Sequence, residues 1–349
     1  RQHGTDAQIM IYLHVPFCKS FCVYCDFYSE IACSNAKALE AYTEKVVEEI
    51  RERSEQILST QKVNTLYIGG GTPSVMPLPF FESVLKALPL KDFSEFTVEV
   101  NPDDIVHRGR EFTDALKKMG VSRISMGVQS LSDAILRWMR RRHDAATALQ
   151  AFKILRDSGF DNISLDLIFG VDGLSDKILT DTLGQFLRLH PEHISAYQLS
   201  IEEGSALDKM VLRGQYTPLP DEQCAHQYEL ICGSLRSAGY RHYEISNWAL
   251  PGKEAVHNSA YWDREPYVGL GPGAHSFLIK PDGTQERSWN SEGLADWHSE
   301  KEVLSAKEIR EESIMLGLRK QEGITLDGRH LSIPEDKWFI SDSIIEEMI

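Results

Sequence analysis

Apolar positions along this chain alternate between two periods. Short β-branched runs recur as IMIYLHV (9–15), TLYIGG (65–70), FTVEVNP (96–102), RISMGVQS (123–130), ISLDLIFG (163–170) and HISAYQLS (193–200). Such runs read as strands of a sheet buried on both faces. Between them, ALEAYTEKVVEEIRERSEQIL (38–58) places Leu39, Tyr42, Val46 and Ile50 on one face with charges opposite, the spacing of an amphipathic helix. FFESVLKAL, FTDALKKMG, ATALQAFKILRDSG and DKILTDTLGQFLRLH repeat the pattern. Gly120, Gly159 and, after a further helix over 221–238, Gly239 stand where a glycine ends a helix. Six β-α units in series predict a parallel sheet, either open and doubly wound or curled into a barrel.

Polar residues gather at the C-terminal ends of the predicted strands: Gly69 to Thr72, Glu99, Gln129, Asp166 and Ser200. In parallel α/β folds that rim carries the chemistry. Beyond about residue 205 the pattern loosens. A strand is expected over 241–248, followed by the glycine- and aromatic-rich HNSAYWDREPYVGLGPGAHSF (257–277) and a charged, helical ending, SAKEIREESIMLGLRKQ. The expected division is a core over 1–205, a region covering its opening over 206–300, and a small helical, winged-helix-like domain over 301–349.

A length of 349 residues allows two domains or one barrel with an appendage. The net charge of -15 argues against a general nucleic-acid binder, although RWMRRR (137–142) is a local basic patch. No apolar run approaches the roughly 18 residues of a membrane helix. The polar opening RQHGTDAQ does not read as a signal peptide, and a chain that begins on Arg1 is expected to lack its native start. Six cysteines in such a length make no disulfide scaffold. Cys33, Cys224 and Cys232 are scattered, and the last two suit core packing on one helix. This usage reads as a reducing, cytoplasmic setting with a metal site.

The candidate site is CKSFCVYC (18–25), with Cys18, Cys22 and Cys25 spaced C-x3-C-x2-C directly after the first strand. Three readings are open on the residues: unliganded thiols, a structural zinc with His14 or Asp26 as fourth ligand, or a [4Fe–4S] cluster held by three thiolates. In the last, one iron is left open to bind a further ligand.

With its preceding strand and the GGGTP loop (69–73) after the next one, this motif resembles the signature of the radical S-adenosylmethionine (SAM) superfamily. In that family SAM chelates the open iron, and one electron from the cluster cleaves its C5′–S bond to a 5′-deoxyadenosyl radical. A fourth cysteine would block the cofactor. The fold implied is α/β: a partial, open (β/α)6 TIM-like barrel with a smaller C-terminal accessory domain.

The resemblance places SAM contacts at Tyr12, Tyr24, Gly70, Gly71, Thr72, Glu99, Gln129, Arg141, Asp166 and Ser200. On the residues alone, GGGTP is no phosphate loop, since it lacks Gly-Lys-Ser/Thr, and its glycines suit either close approach to a ligand or a tight turn. Glu99 could accept from ribose hydroxyls or be a solvated strand end. Arg140 and Arg142 suit a solvated face as well as an anion site.

Over residues 9–277 the closer resemblance is to the coproporphyrinogen III oxidase-like branch. The decarboxylating oxidases of that branch carry a fourth cysteine where this chain has Phe27, and a longer N-terminal extension than the 17 residues before Cys18. The HemW-type heme chaperones of the same branch carry H-N-x-x-Y-W, here His257, Asn258, Tyr261 and Trp262. An imidazole can ligate heme iron, and Tyr and Trp offer flat apolar area; a packed aromatic corner is the plainer alternative. His275 in GLGPGAHSF is a second candidate ligand. The resemblance thus implies heme, SAM and a [4Fe–4S] cluster as ligands. Its implied partners are apo-hemoproteins and an electron donor such as flavodoxin or ferredoxin. The function expected is heme delivery, with radical chemistry on a porphyrinogen as the alternative and a zinc-stabilised binding module as a third.

Overall fold

The computed structural model describes residues 10–31, 35–59, 64–294 and 296–349, so Cys33 lies outside the described residues. The six predicted strands form as β1 (Met10–Val15), β2 (Thr65–Gly70), β3 (Glu95–Val100), β4 (Arg123–Gln129), β5 (Ile163–Phe169) and β6 (His193–Gln198). They pair in parallel and in sequence order. The crossovers carry α1 (Ala36–Glu52), α2 (Ser54–Leu58), α3 (Leu78–Ala87), α4 (Pro102–Lys118), α5 (Asp133–Trp138), α6 (Ala145–Asp157) and α7 (Asp176–Leu189). Helix starts are sealed where short polar side chains meet the first turn: Asp144 accepts from Thr147 N, and Ser175 from Ile178 N. Gly120, Gly159 and Gly239 all take positive φ at the ends of helices, as their spacing predicts.

The sheet is curved. Alternate residues of β4 (Arg123, Ser125, Gly127, Gln129) line one cavity together with Tyr67 of β2, Glu99 of β3, Asp166 of β5 and Ser195 of β6. The intervening Ile124, Met126 and Val128 are buried in the main hydrophobic core. This is the partial, open α/β barrel, with its inner face polar and its outer face apolar.

The sheet then exceeds the expected six strands. After α8 (Ala206–Leu212) and α9 (Asp221–Ser237), the strand expected over 241–248 is a hairpin of β7 (Arg241–Glu244) and β8 (Asn247–Ala249), with β8 antiparallel to β6. Past α10 (Val256–Trp262), β9 (Val268–Leu270) pairs in parallel with β1 at the opposite edge. β10 (His275–Ile279), β11 (Gln285–Asn290) and β12 (Ser299–Val303) form a separate antiparallel sheet.

The ending is less helical than its composition suggested. α11 (Ala306–Gly317) starts on a capping box of Ser305 and Glu308, but a hairpin of β13 (Ile324–Leu326) and β14 (Arg329–Leu331) follows before the short α12 (Ser341–Glu346). The helix expected over 38–58 is broken at Arg53, whose guanidinium donates to Glu49, Gly269 O and Ser276 Oγ and so ties α1 to β9 and β10.

Candidate functional site

The loop after β1 is a built structure. Cys18 N donates to Glu30 O (3.0 Å), Glu30 N to Pro16 O (2.6 Å) and Val23 N to Met139 O (3.2 Å). The GGGTP loop lies against its start, where Gly71 N donates at 2.8 Å to the carbonyl O of Val15, the last residue of β1. A Cβ there would meet Phe17 O at 2.8 Å and Val15 O at 2.9 Å, so only glycine lets the two loops lie together. From the other side, Lys19 reaches Asp104 at 2.5 Å, and Arg142 binds both Asp103 (2.5 Å) and Asp104 (3.2 Å). Arg142 is therefore an internal tie between the cysteine loop, α4 and the segment after α5, not a solvated face.

Cys18, Cys22 and Cys25 all line a cavity of about 590 Å³, in the size range of small-molecule and cofactor sites. None is in a disulfide. Thr72 Oγ1 lies 3.4 Å from Cys18 Sγ, and Arg141 Nη1 donates to Cys22 Sγ at 3.4 Å. Burial raises the Cys18 thiol and pushes Cys25 up to about 11, the chemistry of sulfurs that become thiolates only when a cation shares the loop. Ligands of one zinc ion sit within about 4 Å of one another. These three sulfurs are not gathered within 4.8 Å, a spread that suits a larger body than one ion. His14 is no fourth ligand: its Nε2 is 2.9 Å from Tyr28 O and its Nδ1 3.0 Å from Tyr12 Oη.

The same cavity brings Tyr24, Gly70, Gly71, Thr72, Glu99, Gln129, Arg141, Asp166 and Ser200 together, as expected from their positions in sequence. Three residues of the lining also carry buried polar atoms without a hydrogen-bond partner. They are Gln129 Oε1, Arg141 Nε and Arg123 Nε and Nη1. Gln129 sits at the break in the β4–β5 register with φ 67°, a left-handed conformation for a non-glycine residue, which re-aims its side chain. Arg141 donates to Gly127 O (2.5 Å) and to Asn101 Oδ1, and Asn101 donates in turn to Thr72 (3.1 Å). Tyr12 is the exception. It does not reach the cavity wall; its hydroxyl bonds His14 and its ring packs beside Tyr67.

Glu99 is oriented by Tyr67 Oη (2.7 Å) and Gly70 N (3.1 Å). Burial pushes it up to about 7, although the Tyr67 hydrogen bond pulls down; Asp166 is pushed by burial to about 6, against the pull of Arg123. Raised carboxyl values mean that the associated stability is full below the ordinary value of 4.5 and is lost as pH rises through about 7. The stability of Glu99→Gln is expected to fall less than wild type between pH 5 and 8 in urea titrations; parallel pH profiles would refute the assignment.

The HNSAYW segment reaches the cavity only through Asn258. His257 is 1% exposed. Its Nδ1 lies 2.7 Å from Thr65 Oγ1 and its Nε2 2.9 Å from Tyr261 Oη, and its backbone N donates to Glu95. Burial holds the imidazole neutral, down to about 3. In this conformation it has no free nitrogen for heme iron, so the motif forms the packed aromatic corner. Trp262 lies under the Arg319 guanidinium, and His275 faces Trp289 on the separate sheet. Sequence reasoning overlooked Tyr67, Asn101, Arg123, Ser125, Ser195 and Tyr197, which also line the cavity. Their signal was present: polar side chains at every second position of otherwise apolar strands.

Comparison with known proteins agrees with this geometry. Residues 12–185 match the radical SAM superfamily. The chain is 35% identical over 326 residues to a Lactococcus lactis protein named heme chaperone HemW, covering 90% of this chain and 83% of that one. It is 35% identical over 332 residues to a Bacillus subtilis protein of the same name, covering 90% and 84%. Among solved structures, coproporphyrinogen III oxidase from Escherichia coli superposes with a TM-score of 0.74 at 18% identity, covering 99% of this chain and 79% of that one; at that identity the likeness is one of fold.

Proposed function

Because this chain belongs to the HemW heme chaperone family within the radical SAM superfamily, we propose that it binds heme and passes it to acceptor proteins. The family implies SAM and a [4Fe–4S] cluster, and the residues present fit both. Cys18, Cys22 and Cys25 would hold the cluster, and Glu99, Gln129, Arg141 and Asp166, which line the same cavity, are the polar side chains that would receive SAM. Bound together, these groups supply one-electron cleavage of a sulfonium. An electron donor such as flavodoxin or ferredoxin belongs among the partners in this reading. Around that position, Glu99 offers acceptors to ribose hydroxyls, and Arg141, locked by Gly127 O and Asn101, orients the Cys22 sulfur. Asp166 is steadied by Ser125 at 3.3 Å.

The observation that favours a flat apolar ligand is the mouth of this cavity. Phe21 is 49% exposed, Phe27 66% and Tyr197 43%, all lining the same opening as the thiols. Large rings kept in water beside a cofactor cavity offer area to a macrocycle. Phe27 also occupies the position of the oxidases' fourth cysteine, so decarboxylation is not the favoured reading. Heme contact in this proposal runs through Phe21, Phe27, Tyr197 and Asn258, with His257, Tyr261 and Trp262 as the supporting helix. His257 becomes a ligand only where α10 leaves the barrel floor. No helix among the described residues is long and apolar enough to cross a membrane.

Hemin titrated into anaerobically reconstituted protein is expected to saturate at one per chain. Heme then moves to an apo-hemoprotein, followed by absorbance. Phe27→Asp should weaken binding by about tenfold or more, the worth of one buried phenyl ring. His257→Ala should lower thermal stability yet leave hemin affinity within about threefold. A tenfold loss at unchanged stability would instead make the imidazole a ligand. Unsaturable binding by wild type would overturn the chaperone reading.

A further inference from the structure

A second group of metal-ligand side chains lies away from the cavity, where the C-terminal segment meets α9 and β7. Cys232 of α9, His242 of β7 and Glu335, just after Pro334, each present one ligand atom, and these atoms lie within 4.8 Å of one another. His242 Nδ1 is 4.0 Å from Cys232 Sγ and 2.9 Å from Glu335 Oε1. A tetrahedral zinc ion, with bonds of about 2.3 Å to sulfur and 2.0–2.1 Å to nitrogen and oxygen, sets ligand separations of about 3.6 Å for S···N and 3.3 Å for N···O. Both observed separations are within about half an ångström of these values.

The imidazole is prepared for this role. It stacks on Trp248 with ring centroids 4.0 Å apart and meets the edge of Trp338 at 4.4 Å, so its plane is set by packing. Its Nε2 lies 3.2 Å from Ile245 O, the backbone carbonyl that also accepts from Tyr228 Oη at 2.7 Å. A metal-bound histidine commonly donates its other N–H to such a carbonyl. With the proton on Nε2, Nδ1 presents a lone pair to the Glu335 carboxylate oxygen. In that tautomer a cation can sit between the two acceptors, whereas a proton on Nδ1 makes the 2.9 Å approach a hydrogen bond.

We propose that Cys232, His242 and Glu335 form a site for a divalent cation of the zinc class. A thiol, an imidazole and a carboxylate form the borderline donor set that this class takes. Arg236 Nη2 also donates to Glu335 Oε1, at 2.7 Å, and so fixes the oxygen that faces His242 Nδ1. On binding, Cys232 releases its proton to solvent, and no electron moves. The ion fastens the segment carrying Glu335 and the buried Trp338 to the edge of the barrel, independently of heme.

The full chain, with its cluster loaded so that the Cys18 loop is occupied, is equilibrated with zinc and desalted. Retained metal is then measured by elemental analysis and zinc-edge X-ray absorption. One zinc per chain is expected, with one sulfur scatterer near about 2.3 Å. Cys232→Ser and Glu335→Gln should each cut retained zinc at least tenfold with iron content unchanged. Zinc should also raise the unfolding temperature of wild type and not of Cys232→Ser. Retention of under a tenth of an equivalent, zinc with three sulfurs, or zinc indifferent to Cys232→Ser would overturn the site. Cys232, His242 and Glu335 would then be a hydrogen-bonded cluster without an ion.

Discussion

Cys22→Ala is expected to take bound iron from about four atoms per chain to fewer than one after anaerobic reconstitution. Iron and sulfide assays, with the cluster absorbance, measure it. Three sulfurs are available in the loop, and removal of one leaves two, too few to hold a cubane against exchange into solvent. Cys22 is the thiol that Arg141 Nη1 addresses at 3.4 Å, so its loss leaves that nitrogen without this acceptor while Nη2 keeps Gly127 O and Asn101. The barrel should survive, because Cys22 is only partly buried in a loop whose backbone ties run through Cys18, Val23 and Glu30. A Cys22→Ala protein with wild-type iron would remove this loop as the cluster site. Equal losses for Cys18→Ala and Cys25→Ala, with Cys224→Ala unaffected, would confine it there.

Asp104→Ala is expected to cost about 3–5 kcal/mol, the scale for removing one partner of a buried ion pair. Asp104 is 0% exposed and is the hub of the ties around the cysteine loop. It accepts from Lys19 (2.5 Å), from Ser74 Oγ (2.8 Å) and from Arg142 (3.2 Å). Burial alone would raise this carboxyl, but Arg142 and Lys19 outweigh it and hold it below its ordinary 3.8. Its contribution is therefore full above that value and is lost as pH falls through the depressed one. Without the carboxylate, Arg142 keeps only Asp103, and Lys19 is released from the loop's far side. Denaturant titration measures the cost, and the same samples should lose cluster more quickly under chelator. Asp103→Ala, whose side chain is partly solvated, should cost no more than about 1 kcal/mol. Equal effects of the two substitutions would show that the hub is not Asp104.

The amino-acid sequence by itself determined the β-α series, the helix-ending glycines and the loop that carries the thiols. Those features are local. A period of two or 3.6 residues, a glycine with positive φ or three cysteines within one turn of chain follows from neighbours in sequence. That most of the residues expected to contact SAM would line one cavity was legible for the same reason, because a parallel barrel brings the C-terminal ends of its strands to one rim wherever they stand in the chain. The inward polar stripe of β3 to β6 was written in the same alternation, although its depth, down to Arg123, needed the curvature of the sheet to appear.

Only the tertiary structure decided the surroundings of His257, Arg142 and Cys232. Each depends on partners far away in sequence: Thr65 for His257, Asp104 for Arg142, and Glu335, which joins Cys232 at His242. A histidine in a motif is equally suited to ligation or to packing until its two nitrogens are accounted for. Here both are hydrogen-bonded on the barrel floor. The hairpin at 241–249 and the strands added at both sheet edges were also hidden, because strand pairing is a long-range choice that no periodicity records. Burial and pairing are properties of the folded chain, and they turn residue types into sites.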